Sequence, residues 1–275
     1  MGAKEAGFSK SKKAVKLWSH SVTTVIYHRE RTSGLVPNST AYKILEACRE
    51  PGCPVCRLEQ QGVERYLDNH FYENVNSPSW RERLRLSLGF CHEHAWLGAN
   101  QRLGDALGYA IIYHDIVNTI LSQWNEDGSS ERGVRRWASR LQRIPEQARM
   151  MVERMLNALT PRKPCPACEH RDEMRRTILA ALVEELKTPE MIEALQASEG
   201  LCMPHLRLTL EHIKNRSACE KLLTIHRTKL ESLRAELALF IRKNDYQLIT
   251  EGFGKEGNAW LRAIALIAGS SRKNT

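Results

Sequence analysis

No apolar run in these 275 residues approaches the ~18 side chains that a membrane span requires. The most apolar late segment, Ala259–Ala268, is short and carries Arg262. The N-terminus has no apolar stretch followed by a small-residue cleavage site, which predicts a soluble protein of the reducing cytoplasm. No G-x-S-x-G, Walker A or kinase signature is present. Gly252-Phe253-Gly254-Lys255-Glu256-Gly257 satisfies G-x-G-x-x-G, but it lacks the parallel βαβ unit and later acidic residue of a dinucleotide site. A turn that docks a final helix is the plainer expectation there. His92-Glu93-His94 is not HExxH, because histidines two apart cannot share a helix face. Strand patterning is missing except at residues 246–250, so the expected fold is all-α.

What the chain does contain occurs twice. Cys53-Pro54-Val55-Cys56 is followed by Ser77-Pro78 and then Gly89-Phe90-Cys91-His92-Glu93-His94. Cys165-Pro166-Ala167-Cys168 is followed by Thr188-Pro189 and then Gly200-Leu201-Cys202-Met203-Pro204-His205. The copies start 112 residues apart and contain six of the eight cysteines. Each copy offers three sulfurs and one imidazole, the ligand count of a closed tetrahedral zinc site. The alignment selects the histidines: His94 matches His205, whereas His92 matches Met203 and His70 matches Leu182.

A reducing compartment disfavours disulfides and favours metal for such spacing, and no βαβ context supports a thioredoxin-like role. The expectation is two zinc ions per chain, one per repeat. Cys53, Cys56, Cys91 and His94 would form the first site, and Cys165, Cys168, Cys202 and His205 the second. An iron–sulfur cluster with one histidine ligand is the less favoured alternative.

The paired CPxC and GFCxxH motifs, with the terminal Gly252–Ile264 segment, resemble an uncharacterised prokaryotic family known as a domain of unknown function. The resemblance covers about residues 40–269. It implies the same ligands and no particular activity.

The formal charge of +9 falls to about +7 once two sites of net −1 each are loaded. Residues 1–31 carry seven Lys/Arg against two Glu, and residues 131–163 carry nine against three. Arg135, Arg136, Arg140 and Arg143 could share a helix face and meet nucleic acid or an acidic partner, although solvated faces are the commoner outcome. A protein partner is favoured over nucleic acid, and no membrane association is expected.

The expected organisation is a basic arm at 1–39, a first repeat at 40–124, a linker at 125–130, a second repeat at 131–245 and a terminal turn and helix at 246–275. The first repeat should end in one long helix over 92–124, with Trp96, Leu103, Ala110, Val117 and Trp124 as its core stripe and His114 buried within it. The second should end in a helix from Pro204, with Cys219, Leu223, His226, Leu230, Leu233, Leu237 and Phe240 inward. These two longest helices should pack near-antiparallel as in a bundle. Cys48 and Cys219 read as small buried hydrophobes. Because four protein ligands leave no open position for substrate, an interaction or regulatory module is expected rather than an enzyme. A thiol-based redox or metal sensor and an iron–sulfur electron carrier or oxidoreductase are the alternatives.

Overall fold

Pro-led helix starts and left-handed helix stops divide the chain into short helices of matching order in the two repeats. A computed structural model describes residues 39–125, 146–244 and 252–270, and among them there are helices but no strand. The first repeat supplies α1 (Ser39–Cys48), α2 (Pro54–Glu73), α3 (Pro78–Ser87), α4 (His92–Gln101) and α5 (Ala106–Asn125). The second supplies α6 (Glu146–Leu159), α7 (Pro166–Glu185), α8 (Pro189–Ala197), α9 (Met203–His212) and α10 (Arg216–Lys243). A 3-10 turn, Lys255–Asn258, then leads into α11 (Ala259–Ala268). Four of these helices, α2, α3, α7 and α8, carry Pro at their first position, where its missing N–H costs nothing.

The central pair is α2 with α7, not the helices expected over residues 92–124 and from Pro204. Gly62 faces Met174, Glu59 reaches Arg175 and Tyr66 stacks on His170 at 4.6 Å. Positions that rise along one helix fall along the other, so the pair is antiparallel. Gly62 and Met174 are also matching positions of the repeated motif, 112 apart, so the two copies meet at equivalent points. A Cβ on Gly62 would lie 2.1 Å from the Met174 sulfur, so glycine permits this close approach.

Two hydrophobic cores flank that crossing. One joins α1 and the start of α2 to the later half of α7 and to α8, α9 and α10, with Ile44, Leu182, Leu195, Leu201 and Leu222 fully enclosed. The other joins the later half of α2, α3, the α3–α4 turn and α5 to the start of α7, around Leu67, Phe71, Leu84 and Ile112. Each core is therefore built from both repeats. All the described residues belong to one compact unit.

The continuous helix expected over 92–124 is two helices. Arg102 (φ 55°) and Gly104 (φ 77°) turn left-handed, and Asp105 accepts from the Gly108 N–H at 2.6 Å to start α5. The break changes the register. Ile112 and Ile116 are buried on α5, while Leu107, Val117 and His114 are exposed, as is Trp96 on α4. The second repeat breaks at the same place, where Asn215 accepts from the Ala218 N–H to start α10. Ala218, Leu222, Ile225, His226 and Leu233 form the buried face of α10, and Leu223 and Leu230 lie outside it. His226 is structural: its Nε2 accepts from the Leu201 N–H, and its Nδ1 donates to the Leu222 carbonyl. Cys48 is buried and Cys219 half-buried.

The glycine-rich segment serves as a turn. Glu256 accepts from the Gly254 N–H and from Lys243, which hold its pKa down to about 2. The basic arm, the linker beyond residue 125, residues 246–250 and the four arginines Arg135, Arg136, Arg140 and Arg143 lie outside the described residues.

Candidate metal centres

The first cysteine of each knuckle caps a helix: Cys53 precedes α2 and Cys165 precedes α7. Cys91 and Cys202 cap α4 and α9 in the same way. None of the four uses its side chain to cap the backbone, and the Cys91 and Cys202 sulfurs instead approach His94 and His205 in the first turn of the same helix, at 3.3 and 3.1 Å. Cys56, Cys168, His94 and His205 follow three residues later, within the first turn. The partial positive charge of a helix N-terminus favours thiolate at the six cysteines, while burial pushes the Cys53, Cys165 and Cys168 thiols up.

The eight candidate ligands converge in two clusters, and the pairing crosses the repeats. Cys53 and Cys56 meet Cys202 and His205, while Cys165 and Cys168 meet Cys91 and His94. The expected pairing within each repeat is thus corrected. The antiparallel α2–α7 pair is the physical reason, because it carries each knuckle to the far end of the other repeat.

The edges of both clusters fit a closed tetrahedron. In the first, His205 Nδ1 lies 3.5, 3.3 and 3.1 Å from the sulfurs of Cys53, Cys56 and Cys202, and the Cys56 and Cys202 sulfurs are 3.7 Å apart. In the second, His94 Nδ1 lies 3.3, 3.6 and 3.3 Å from Cys91, Cys165 and Cys168, and the Cys91 and Cys168 sulfurs are 3.7 Å apart. Zinc–sulfur bonds of about 2.3 Å at tetrahedral angles set sulfur–sulfur edges of about 3.8 Å. A disulfide needs sulfurs at about 2.05 Å, and every one of these cysteines is free.

Around this shared ligand set the two surroundings differ. Glu59, three residues after Cys56, accepts from His205 Nε2 at 3.2 Å and from Arg175. Burial alone would raise the Glu59 carboxyl, but His205 and Arg175 hold it below the usual carboxylate range. The equivalent position three residues after Cys168 is Arg171, which pairs with Glu93 at 3.4 Å. Burial disfavours charge on His205, yet its hydrogen bonds to Cys202, Cys56 and Glu59 raise its pKa to about 11. Burial, and then the Arg171 guanidinium, lower that of His94 to about 4.

The first cluster also has a cap. The Cys53 N–H donates to Ser270 Oγ at 3.2 Å, and Gly269, at the end of α11, sits over the Cys56 and Cys202 sulfurs. A cavity of about 300 Å3 borders both clusters, lined by Cys56, Cys202, His205, His94, Arg171 and Arg175 among others.

Two other histidines play no part in either cluster. His92 is exposed, and His70 hydrogen-bonds the Tyr66 carbonyl. Sequence reasoning missed Glu59 and Arg171, although the signal was present. Aligning C-P-V-C-R-L-E with C-P-A-C-E-H-R sets the two opposite charges at one position.

Residues 42–274 match the model of a family described as of unknown function, DUF6062. The chain is also similar to an uncharacterized 23.9 kDa protein in the xynA 3′ region of Caldicellulosiruptor sp. (strain Rt8B.4). That relative is 25% identical over 229 residues, covering 82% of this chain and 100% of the relative. No solved structure matches the chain at a significant level.

Proposed function

The chain belongs to the DUF6062 family, and we propose that it is a cytoplasmic zinc protein whose two Cys3His centres are structural and whose surface docks a protein partner. The observation that carries this reading is the convergence of four ligand atoms, all within 4.8 Å of one another, in each cluster. Such a set fills the coordination of zinc and leaves no position for water or substrate. Zinc would serve as a staple, joining the starts of α2 and α9 at one centre and of α4 and α7 at the other. The free thiols fit a reducing compartment.

Support for a protein partner comes from α11, where Trp260, Leu261, Ile264 and Ile267 are each about half exposed. Contiguous apolar surface of this kind marks interaction sites. Among the described residues no helix is long and apolar enough to cross a membrane.

Elemental analysis of anaerobically purified protein tests the metal reading. The expected result is two zinc ions per chain in a colourless preparation, one for each cluster. A brown preparation containing iron and labile sulfide would replace zinc with the iron–sulfur alternative. Cys48→Ser and His92→Ala should both retain the full metal content, because neither side chain belongs to a cluster.

A further inference from the structure

Duplication has given this chain two sites with identical ligands, so their surroundings are the only thing that can distinguish them. Three differences run in one direction. First, the His205 imidazole, whose Nδ1 faces the sulfurs, is held on its far side by the Glu59 carboxylate. A carboxylate there fixes the ring and raises its basicity as a ligand, and losing such a partner typically costs about 10–100-fold in metal affinity. The matching position in the other repeat is Arg171, which pairs with Glu93 and Asp172 and, as an arginine, cannot accept a hydrogen bond from the His94 ring.

Second, three ligands of the first cluster are buried and only Cys56 is half-buried, whereas Cys91 and Cys168 of the second are both half-buried. Third, the end of α11 covers the first cluster through Gly269 and Ser270, and among the described residues no equivalent contact is seen at the second. Both clusters border the same cavity, so access through it does not by itself separate them.

We infer that the Cys53–Cys56–Cys202–His205 centre is the permanent one and that the Cys91–His94–Cys165–Cys168 centre exchanges its metal. This deepens the zinc reading and rests on it. Losing the second ion would release the start of α4 from the start of α7 and loosen the core around Phe71 and Ile112, while the first centre still clamps the chain. The protein would then report zinc availability through a local change in one core.

The test uses the full-length protein carrying its two zinc ions. A chromophoric chelator is added, and exposed thiols are pulse-labelled with N-ethylmaleimide and located by peptide mass spectrometry. The expected result is two release phases of one zinc each, differing at least tenfold in rate. Cys91, Cys165 and Cys168 should be labelled in the fast phase, and Cys53, Cys56 and Cys202 in the slow one. Hydrogen exchange in the fast phase should rise around residues 88–95 and 163–170 while residues 200–207 stay protected. Glu59→Gln should speed the slow phase by about 10–100-fold and leave the fast one unchanged.

Simultaneous labelling of all six thiols, or labelling in the reverse order, would overturn the asymmetry while leaving two structural zinc sites standing. Protein isolated without zinc would instead overturn the metal reading and the asymmetry with it. The wild-type labelling order decides the matter even if Glu59→Gln folds poorly.

Discussion

Replacing Cys53 and Cys202 together by serine should cost the protein one metal ion, whereas replacing Cys53 and Cys91 together should cost it two. Each double variant loses two thiols, so the count of ligands removed is the same. The difference comes from the pairing across repeats, which puts Cys53 with Cys202 and Cys91 with Cys165. A structural zinc site contributes on the order of 10 kcal/mol of apparent free energy. The net stability of a whole domain is about 5–15 kcal/mol. Cys53→Ser with Cys202→Ser should therefore leave a weakened fold that still holds one ion. Cys53→Ser with Cys91→Ser should be largely unfolded and metal-free. Metal content per chain and the thermal midpoint measure both outcomes. A pairing within repeats would exchange the two results.

The next largest effect is expected at Gly104, which belongs to neither cluster. Its φ of 77° belongs to the left-handed region, and a Cβ there would lie 2.3 Å from the Cβ of Phe71. Phe71 is buried and cannot withdraw, since it stacks on Tyr109 at 3.9 Å and packs edge-on against Trp80 at 5.7 Å. Gly104→Ala should thus combine backbone strain with overpacking, at about 2–4 kcal/mol. For a chain of this size that is a fall in melting midpoint on the order of 5–15 °C. Gly252→Ala is the control: nothing lies within 4 Å of the added carbon, and the midpoint should hold. A Gly104→Ala protein melting with the wild type would mean that α4 and α5 are not locked by this turn.

These two expectations mark what the sequence disclosed and what it withheld. The eight residues that gather into the two clusters were legible because spacing is a local property, and the repeat supplied an internal check on which histidines to choose. Their partnership was not legible. Nothing in a one-dimensional pattern distinguishes a knuckle that closes on its own C-x-x-H from one that closes on its neighbour's. That choice is made by the close approach of Gly62 to Met174, a packing event between residues 112 apart. The helix break at residues 102–105 was legible in principle, since Gly-Asp is a stop followed by a cap. The heptad of Trp96, Leu103 and Val117 spoke for continuity instead, yet Trp96 and Val117 are exposed and Leu103 alone of the three packs on the core. Once the chain turns at Gly104, the residues on α5 that meet the core are Ile112 and Ile116. The opposite charges of Glu59 and Arg171 were plain in the alignment, but only the fold shows what they stand beside.

The crossed pairing has a consequence for how the two halves belong to each other. Their peptide linkage runs through residues 126–145, yet each half also places its C-x-x-C cysteines beside the C-x-x-H residues of the other. Cleaving the backbone in that segment would leave two fragments fastened at two points, like a clasp whose hooks and eyes are shared between both sides. Neither fragment could keep a complete ligand set by departing, because each carries one knuckle without its own C-x-x-H partner in reach. Covalent continuity between the repeats is, on this geometry, dispensable for holding them together.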